Sequence, residues 1–305
     1  MKSFRLQKLN ERLTQEGVQG VFDWAARWMY WNGGGVHVAR ALGRAPKKFG
    51  IRNPIVVYQM GKVGSTSVYY SLKRLELGVP LYHLHYLNEL DYMAEVSQRR
   101  TPAQAAQALQ LIKVAKEVRA EMARHPNKKW NFISLTRLPV PRLISAFFEN
   151  IENHFPNPVE RYERGELGIS EVTDYFVHRF GDHTPRGWFQ RQLQEPFGLD
   201  VYAVPFDKTR GYQIYHHQNL SLLLVRLEDL NHVATQAMYD FLGIPEFRLV
   251  NRNVGETKRT GNIHGDFLKA LCLPRDWVTE WHSTQYAQHF YTPQELEQSI
   301  ASWVQ

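Results

Sequence analysis

One cysteine, Cys272, stands in the whole chain. A lone thiol excludes an internal disulfide framework, and with it the small secreted scaffolds that depend on one. A reducing compartment is compatible with that. Cys272 lies in the apolar stretch Phe267 to Leu273 and reads as buried filler rather than a nucleophile. Long apolar runs are also missing. The longest candidate, Val18 to Met29, is broken by Asp23 and Arg27 and is too short to span a bilayer. Charges run through Met1 to Gly17 without an apolar core, so no cleavable signal is expected there. These features predict a cytoplasmic protein. No basic run of five or more appears, so the net charge of +7 is not concentrated enough to argue for nucleic acid, and none is expected as a partner. It suits an anionic cofactor and an anionic or sugar acceptor. The thirteen histidines show no metal-ligand spacing on a defined helix face, and no metal is expected.

What is present is organised around Ile55 to Leu75. Ile55 to Tyr58 is a short β-branched run and reads as a buried strand. Gly61 and Gly64 then break the pattern. From Ser67, the apolar residues Val68, Leu72 and Leu75 recur at helical spacing, and Gly78 closes the helix. Strand, glycine loop and helix together surround an anion with backbone N–H groups and a helix N-terminus. Lys62 adds a full charge; Ser65, Thr66 and Ser67 add hydroxyl donors. A Walker loop is excluded, because Val63 and not Ser or Thr follows Lys62.

The order Lys62-Val63-Gly64-Ser65-Thr66 resembles the 5′-phosphosulfate loop of sulfotransferases that use 3′-phosphoadenosine 5′-phosphosulfate (PAPS). Downstream, Trp130 to Leu135 reads as a strand and runs into Thr136 to Phe147. There Arg137 is followed eight residues later by Ser145. This is similar to the 3′-phosphate motif of the same enzymes. Pro139 and Pro141 suit the first turn of the intervening helix. A third similarity is the strand Leu222 to Arg226 with Leu227-Glu228-Asp229-Leu230, then Leu242-Gly243-Ile244-Pro245. With His83-Leu84-His85 and His289-Phe290-Tyr291, the whole most resembles bacterial capsular-polysaccharide-synthesis proteins of sulfotransferase type. The similarity spans roughly residues 51 to 260.

Along the chain, residues 1–50 read as a helical extension ahead of one α/β domain at 51–305. The stripe Val21, Trp24, Trp28 and Trp31 is a face packed on that domain or a membrane-surface helix. Leu81 to Leu87 reads as a second strand, with His83 and His85 on one face. Thr101 to Arg124 reads as a long helix inserted before the Arg137 strand. Val201 to Val204 and Gln213 to Tyr215 read as an edge hairpin. Asn251 to Gly265 reads as a basic loop, and Asp276 to Gln305 as two helices. Strands joined by helices predict a P-loop-like, mostly parallel central sheet flanked by helices. Ligand should bind at the C-terminal strand ends, where Lys62, His85 and Arg137 lie.

The resemblance implies a sulfuryl transfer from PAPS to a hydroxyl of a carbohydrate or glycolipid, releasing 3′,5′-adenosine bisphosphate. It implies that Lys62 meets the departing phosphate and that Val63 to Ser67 hold the 5′-phosphate. Arg137 and Ser145 would hold the 3′-phosphate, and the Lys258–Arg259 loop would fold over the cofactor. The base is His85, His83 or Glu89. Ser67 stands where small-molecule sulfotransferases carry an adenine-stacking Trp, which favours a carbohydrate-type enzyme. Two other readings stay open: a P-loop phosphotransferase, and a non-catalytic nucleotide-binding protein of capsule assembly.

Overall fold

Ile55, Val56, Val57 and Tyr58 are wholly buried, so strand β1 (Ile55–Tyr58) has protein on both faces. That is the signature of a central strand in a parallel sheet. The structure, a computed structural model, describes residues 48–88, 91, 102–250 and 261–304. The expected extension at 1–50, but for its last three residues, lies outside them, as do Glu89, Lys258 and Arg259.

Among the described residues the sheet has five strands, in the order β2 (Leu81–Leu84), β1, β3 (Trp130–Thr136), β5 (Leu220–Arg226) and β4 (Tyr212–His217). β2 and β3 flank β1 in parallel. β5 pairs parallel with β3, Thr136 opposite Arg226. β4 closes the far edge, antiparallel to β5. A mostly parallel α/β sheet flanked by helices is therefore what this chain forms. Because β1, β2 and β3 are parallel, their C-terminal ends lie together, and the loops that follow share one rim.

Helix α1 (Ser65–Arg74) follows β1 through the glycine loop. It starts two residues earlier than its apolar spacing predicts, because Gly64 in a left-handed conformation makes the cap. α2 (Pro102–Arg124) precedes β3, with Pro102 in its first turn. α3 (Pro139–Glu149) follows β3, also opening on proline. Val140, Leu143, Ile144, Phe147 and Phe148 of α3 enter a second core with Phe176, Phe267 and Trp281. Helical periodicity then puts Arg142, Ser145 and Glu149 on the opposite side of α3. The larger core lies on the sheet. No helix among the described residues is long and apolar enough to cross a membrane.

Several expected boundaries are corrected. β2 stops at Leu84, so His85 lies one residue past the strand. Val201 to Val204 is a turn, because the Asp200 carboxylate accepts from the Tyr202 N–H at 2.8 Å and its carbonyl from Ala203. The hairpin partner of β4 is β5. Gly261 to Gly265 belongs to the helix Gly261–Ala270 and not to a loop. The C-terminus forms three helices, Arg275–His282, Gln285–Phe290 and Pro293–Trp303. Cys272 is exposed. Its neighbours Leu271 and Leu273 are the buried ones, since the segment has left the helix by then.

Candidate active site

The β1–α1 loop is shaped from behind by two arginines. Arg142 Nε donates to the Gly61 carbonyl at 3.1 Å. Arg137 Nη1 donates to the Lys62 carbonyl, also at 3.1 Å. In a trans peptide the N–H points opposite to the C=O. The Lys62 and Val63 amides are thereby turned away from the arginines. Lys62 has φ 72° and Gly64 φ 80°, both left-handed. A lysine held there costs about 1 kcal/mol or more, and such strain concentrates at functional loops. A Cβ at Gly64 would also lie 2.5 Å from Leu227 Cδ1, so the leucine would have to move as well. The concave run of amides leads into the N-terminus of α1, an anion-binding arrangement.

The predicted loop residues divide into two groups. Thr66 is exposed, while Val63, Ser65 and Ser67 are buried. The Ser65 hydroxyl is engaged: Oγ lies 2.9 Å from His83 Nε2. Its backbone amide is what it can offer an anion. The Lys62 side chain is mostly buried, with Nζ 3.8 Å from Oε1 of Glu149, a half-exposed carboxylate. Glu149 lies four residues after Ser145 on α3 and shares its face. Arg142, Ser145 and Glu149 thus form one stripe, and its two ends reach the loop. That stripe puts Ser145 on the loop side of its helix.

Arg137 sits just past β3. Its backbone is gripped by Tyr286, whose hydroxyl accepts from the Arg137 N–H at 2.9 Å and donates to the Arg137 carbonyl at 2.8 Å. One residue on, Glu228 accepts from the Leu138 N–H at 2.8 Å and from the Tyr291 hydroxyl at 3.0 Å. This carboxylate caps α3 from another strand end. Its pKa is raised by burial, against the hydrogen bonds and the Arg137 charge that pull it down. Arg142 is buried and pairs with Asp182, which also accepts from the Thr184 N–H at 2.9 Å. Burial opposes ionisation of Asp182, but the Arg142 guanidinium and Thr184 overcome it and hold the carboxyl below its ordinary range.

His83 and His85 come together as the strand spacing predicts, with ring centroids 5.6 Å apart. Gln59, fully buried, lies between them. Its Nε2 is 3.0 Å from His85 Nδ1 and 3.5 Å from His83 Nε2. The His83 ring also stacks on Tyr69 at 5.1 Å. Burial, and secondarily the His85 charge, lower the His83 pKa to about 3. His83 is therefore neutral at ordinary pH. The loop, the arginine strand end and the two histidines share one rim of the sheet.

Residues 172–292 match the family model NKWYS, "Putative capsular polysaccharide synthesis protein". No curated protein and no solved structure matches. The match indicates the capsular polysaccharide synthesis family for this part of the chain. It takes in β4, β5, Glu228, Tyr286 and Tyr291. The loop, both histidines, Arg137 and α3 precede it, so they stand on their geometry alone. Gln59, Arg142, Glu149, Asp182 and Tyr286 are site residues that carry no role in the sequence reading. Arg142 and Glu149 had a usable signal, the spacing to Ser145 along one helix face. Tyr286 had none, because its partner is far away in sequence.

Proposed function

We propose that this protein is a sulfotransferase that moves the sulfuryl group of PAPS to a hydroxyl of a carbohydrate or glycolipid. The observation that carries the reading is the pair of arginine bonds to the Gly61 and Lys62 carbonyls. They make the Lys62 loop and the Arg137 strand end one cationic cradle, with amides on its open side. The capsular polysaccharide match supports a carbohydrate acceptor.

In this reading the Lys62 to Thr66 amides hold the 5′-phosphate, and Arg137 with Ser145 holds the 3′-phosphate. The bound donor would supply a sulfuryl group on a phosphate leaving group. The residues provide the rest. Lys62 stabilises the negative charge that grows on the bridging oxygen as the S–O bond to phosphate lengthens. The cradle keeps donor and acceptor in line. A histidine, His85 first, takes the acceptor hydroxyl proton as the new O–S bond forms. A magnesium-dependent phosphotransferase fits less well. The Val63 side chain, wholly buried, occupies the place where a hydroxyl would have to meet the metal.

Thermal shifts with 3′,5′-adenosine bisphosphate, AMP, and ATP with magnesium test the reading. Selective stabilisation by the bisphosphate is expected. Stabilisation by ATP with magnesium alone would replace it with the phosphotransferase.

A further inference from the structure

We infer that Gln59 is a positioning residue that holds His85 as its Nδ1–H tautomer, leaving Nε2 as the ring's proton acceptor. The role given to that lone pair rests on the sulfotransfer reading; the tautomer does not. Gln59 directly follows β1 and extends its pairing by one rung, its N–H donating to the Leu84 carbonyl at 3.3 Å. His85 Nδ1 then lies 3.0 Å from the Gln59 backbone oxygen. A carbonyl can only accept, so the ring nitrogen must donate, and the proton sits on Nδ1.

That assignment reaches the side chain too. The end of the Gln59 amide assigned as Nε2 is 3.0 Å from the same Nδ1. A ring N–H cannot accept from an NH2 group. The amide must present its oxygen to His85, since the two ends are told apart only by their partners. Both Gln59 oxygens then accept from one Nδ1–H. The other end of the amide is buried and has no hydrogen-bond partner among the described residues. Trp188 fixes the backbone on the far side, Nε1 donating to the His85 carbonyl at 3.1 Å.

The same constraints separate the two histidines. His83 Nε2 meets Ser65 Oγ at 2.9 Å, its ring lies flat on Tyr69, and it stays neutral. One face of its ring and its Nε2 are taken up by the fold. His83 is thus a strut between β2 and the start of α1, and His85 is the ring with a spare lone pair.

Ring 15N correlation spectra of the full chain test this without any turnover. The expected signature for His85 at neutral pH is a protonated Nδ1 and an unprotonated Nε2. In Gln59→Met the side-chain oxygen is gone, and His85 should lose tautomer purity towards the Nε2–H form. Gln59→Glu keeps an acceptor and should keep the wild-type signature. In the transfer assay, Gln59→Met should lower kcat by about tenfold or more, equivalent to ~1.4 kcal/mol, with nucleotide KM nearly unchanged. A wild-type His85 carrying its proton on Nε2 overturns the inference, and a Gln59→Met spectrum identical to wild type overturns the positioning role of the Gln59 side chain. The wild-type spectrum alone decides the tautomer if the variant does not fold. If the spectra behave as expected but the bisphosphate gives no thermal shift, the sulfotransfer reading fails and the tautomer assignment stands.

Discussion

Removing the Asp182 carboxylate should unlatch the anion loop from behind. Asp182→Ala leaves the Arg142 guanidinium, whose side chain is 4% exposed, without its counter-charge. Breaking a buried pair by deleting one partner costs about 3–5 kcal/mol. Asp182 itself is 18% exposed, which places this case near ~3 kcal/mol. With a urea m-value near the upper end of the usual range, ~3 kcal/mol/M, the unfolding midpoint should fall by about 1 M. Arg142→Met adds the loss of the bond to the Gly61 carbonyl, about 0.5–1.5 kcal/mol, but removes the stranded charge. The double variant should therefore be less destabilised than the sum of the singles, with a coupling of at least ~1 kcal/mol. Acid titration gives an independent check. The folded-state pKa of Asp182 lies below its unfolded value, so the unfolded chain binds the extra proton between the two. Stability from this pair is complete above the unfolded value of about 3.9 and is lost as pH falls through the depressed folded value. Asp182→Asn should lack that acid loss. A cost under ~1 kcal/mol for Asp182→Ala, or additive singles, would refute the latch.

Lys62→Ala should lower transfer more than about tenfold, and single-turnover measurements would expose a variant that keeps its rate. Arg137→Ala should weaken 3′,5′-adenosine bisphosphate by roughly 1.5–3 kcal/mol more than AMP, as calorimetry with both nucleotides would register; equal losses would remove it from the 3′-phosphate. His83 has a folded pKa of about 3 against about 6.5 unfolded, so stability should fall as pH drops through that window. The slope should approach ~1.4 kcal/mol per unit and flatten in His83→Gln, read from urea midpoints at several pH values. Tyr286→Phe should strip both partners from the Arg137 peptide groups, destabilise by about 2–4 kcal/mol and weaken the bisphosphate; an unchanged affinity would uncouple Tyr286 from the site.

The parts that could be read from the sequence are those with local patterns. β1, β3 and β5 are mostly apolar runs because each is largely buried on both faces. Lys62, His83, His85 and Arg137 stand out as polar residues directly after or within such runs. The β4 edge was half legible, since its burial pattern is mixed, and the buried Val201 drew the strand to a turn made by Asp200. Cys272 misled for a related reason. Hydrophobic neighbours mark a segment as buried, but once the helix ends they take the inward positions themselves. The scaffolding of the site was not legible. Asp182 meets Arg142, and Tyr286 meets Arg137, through contacts 40 and 149 residues apart, and no local pattern encodes them.

The grip of Tyr286 on Arg137 has a consequence for synthesis. The loop, the histidine strand and β3 emerge from the ribosome long before the helix Gln285–Phe290. Until that helix arrives, the Arg137 peptide lacks its two bonds. Glu228 lacks the Tyr291 hydroxyl, and Arg226 lacks Glu295. Domains mature as units once their closing contacts exist. A nascent chain halted before Tyr286 should therefore carry every charged group of the cradle yet fail to capture nucleotide. In the proposed reaction, vectorial translation would thus delay nucleotide capture until the helix Gln285–Phe290 has emerged.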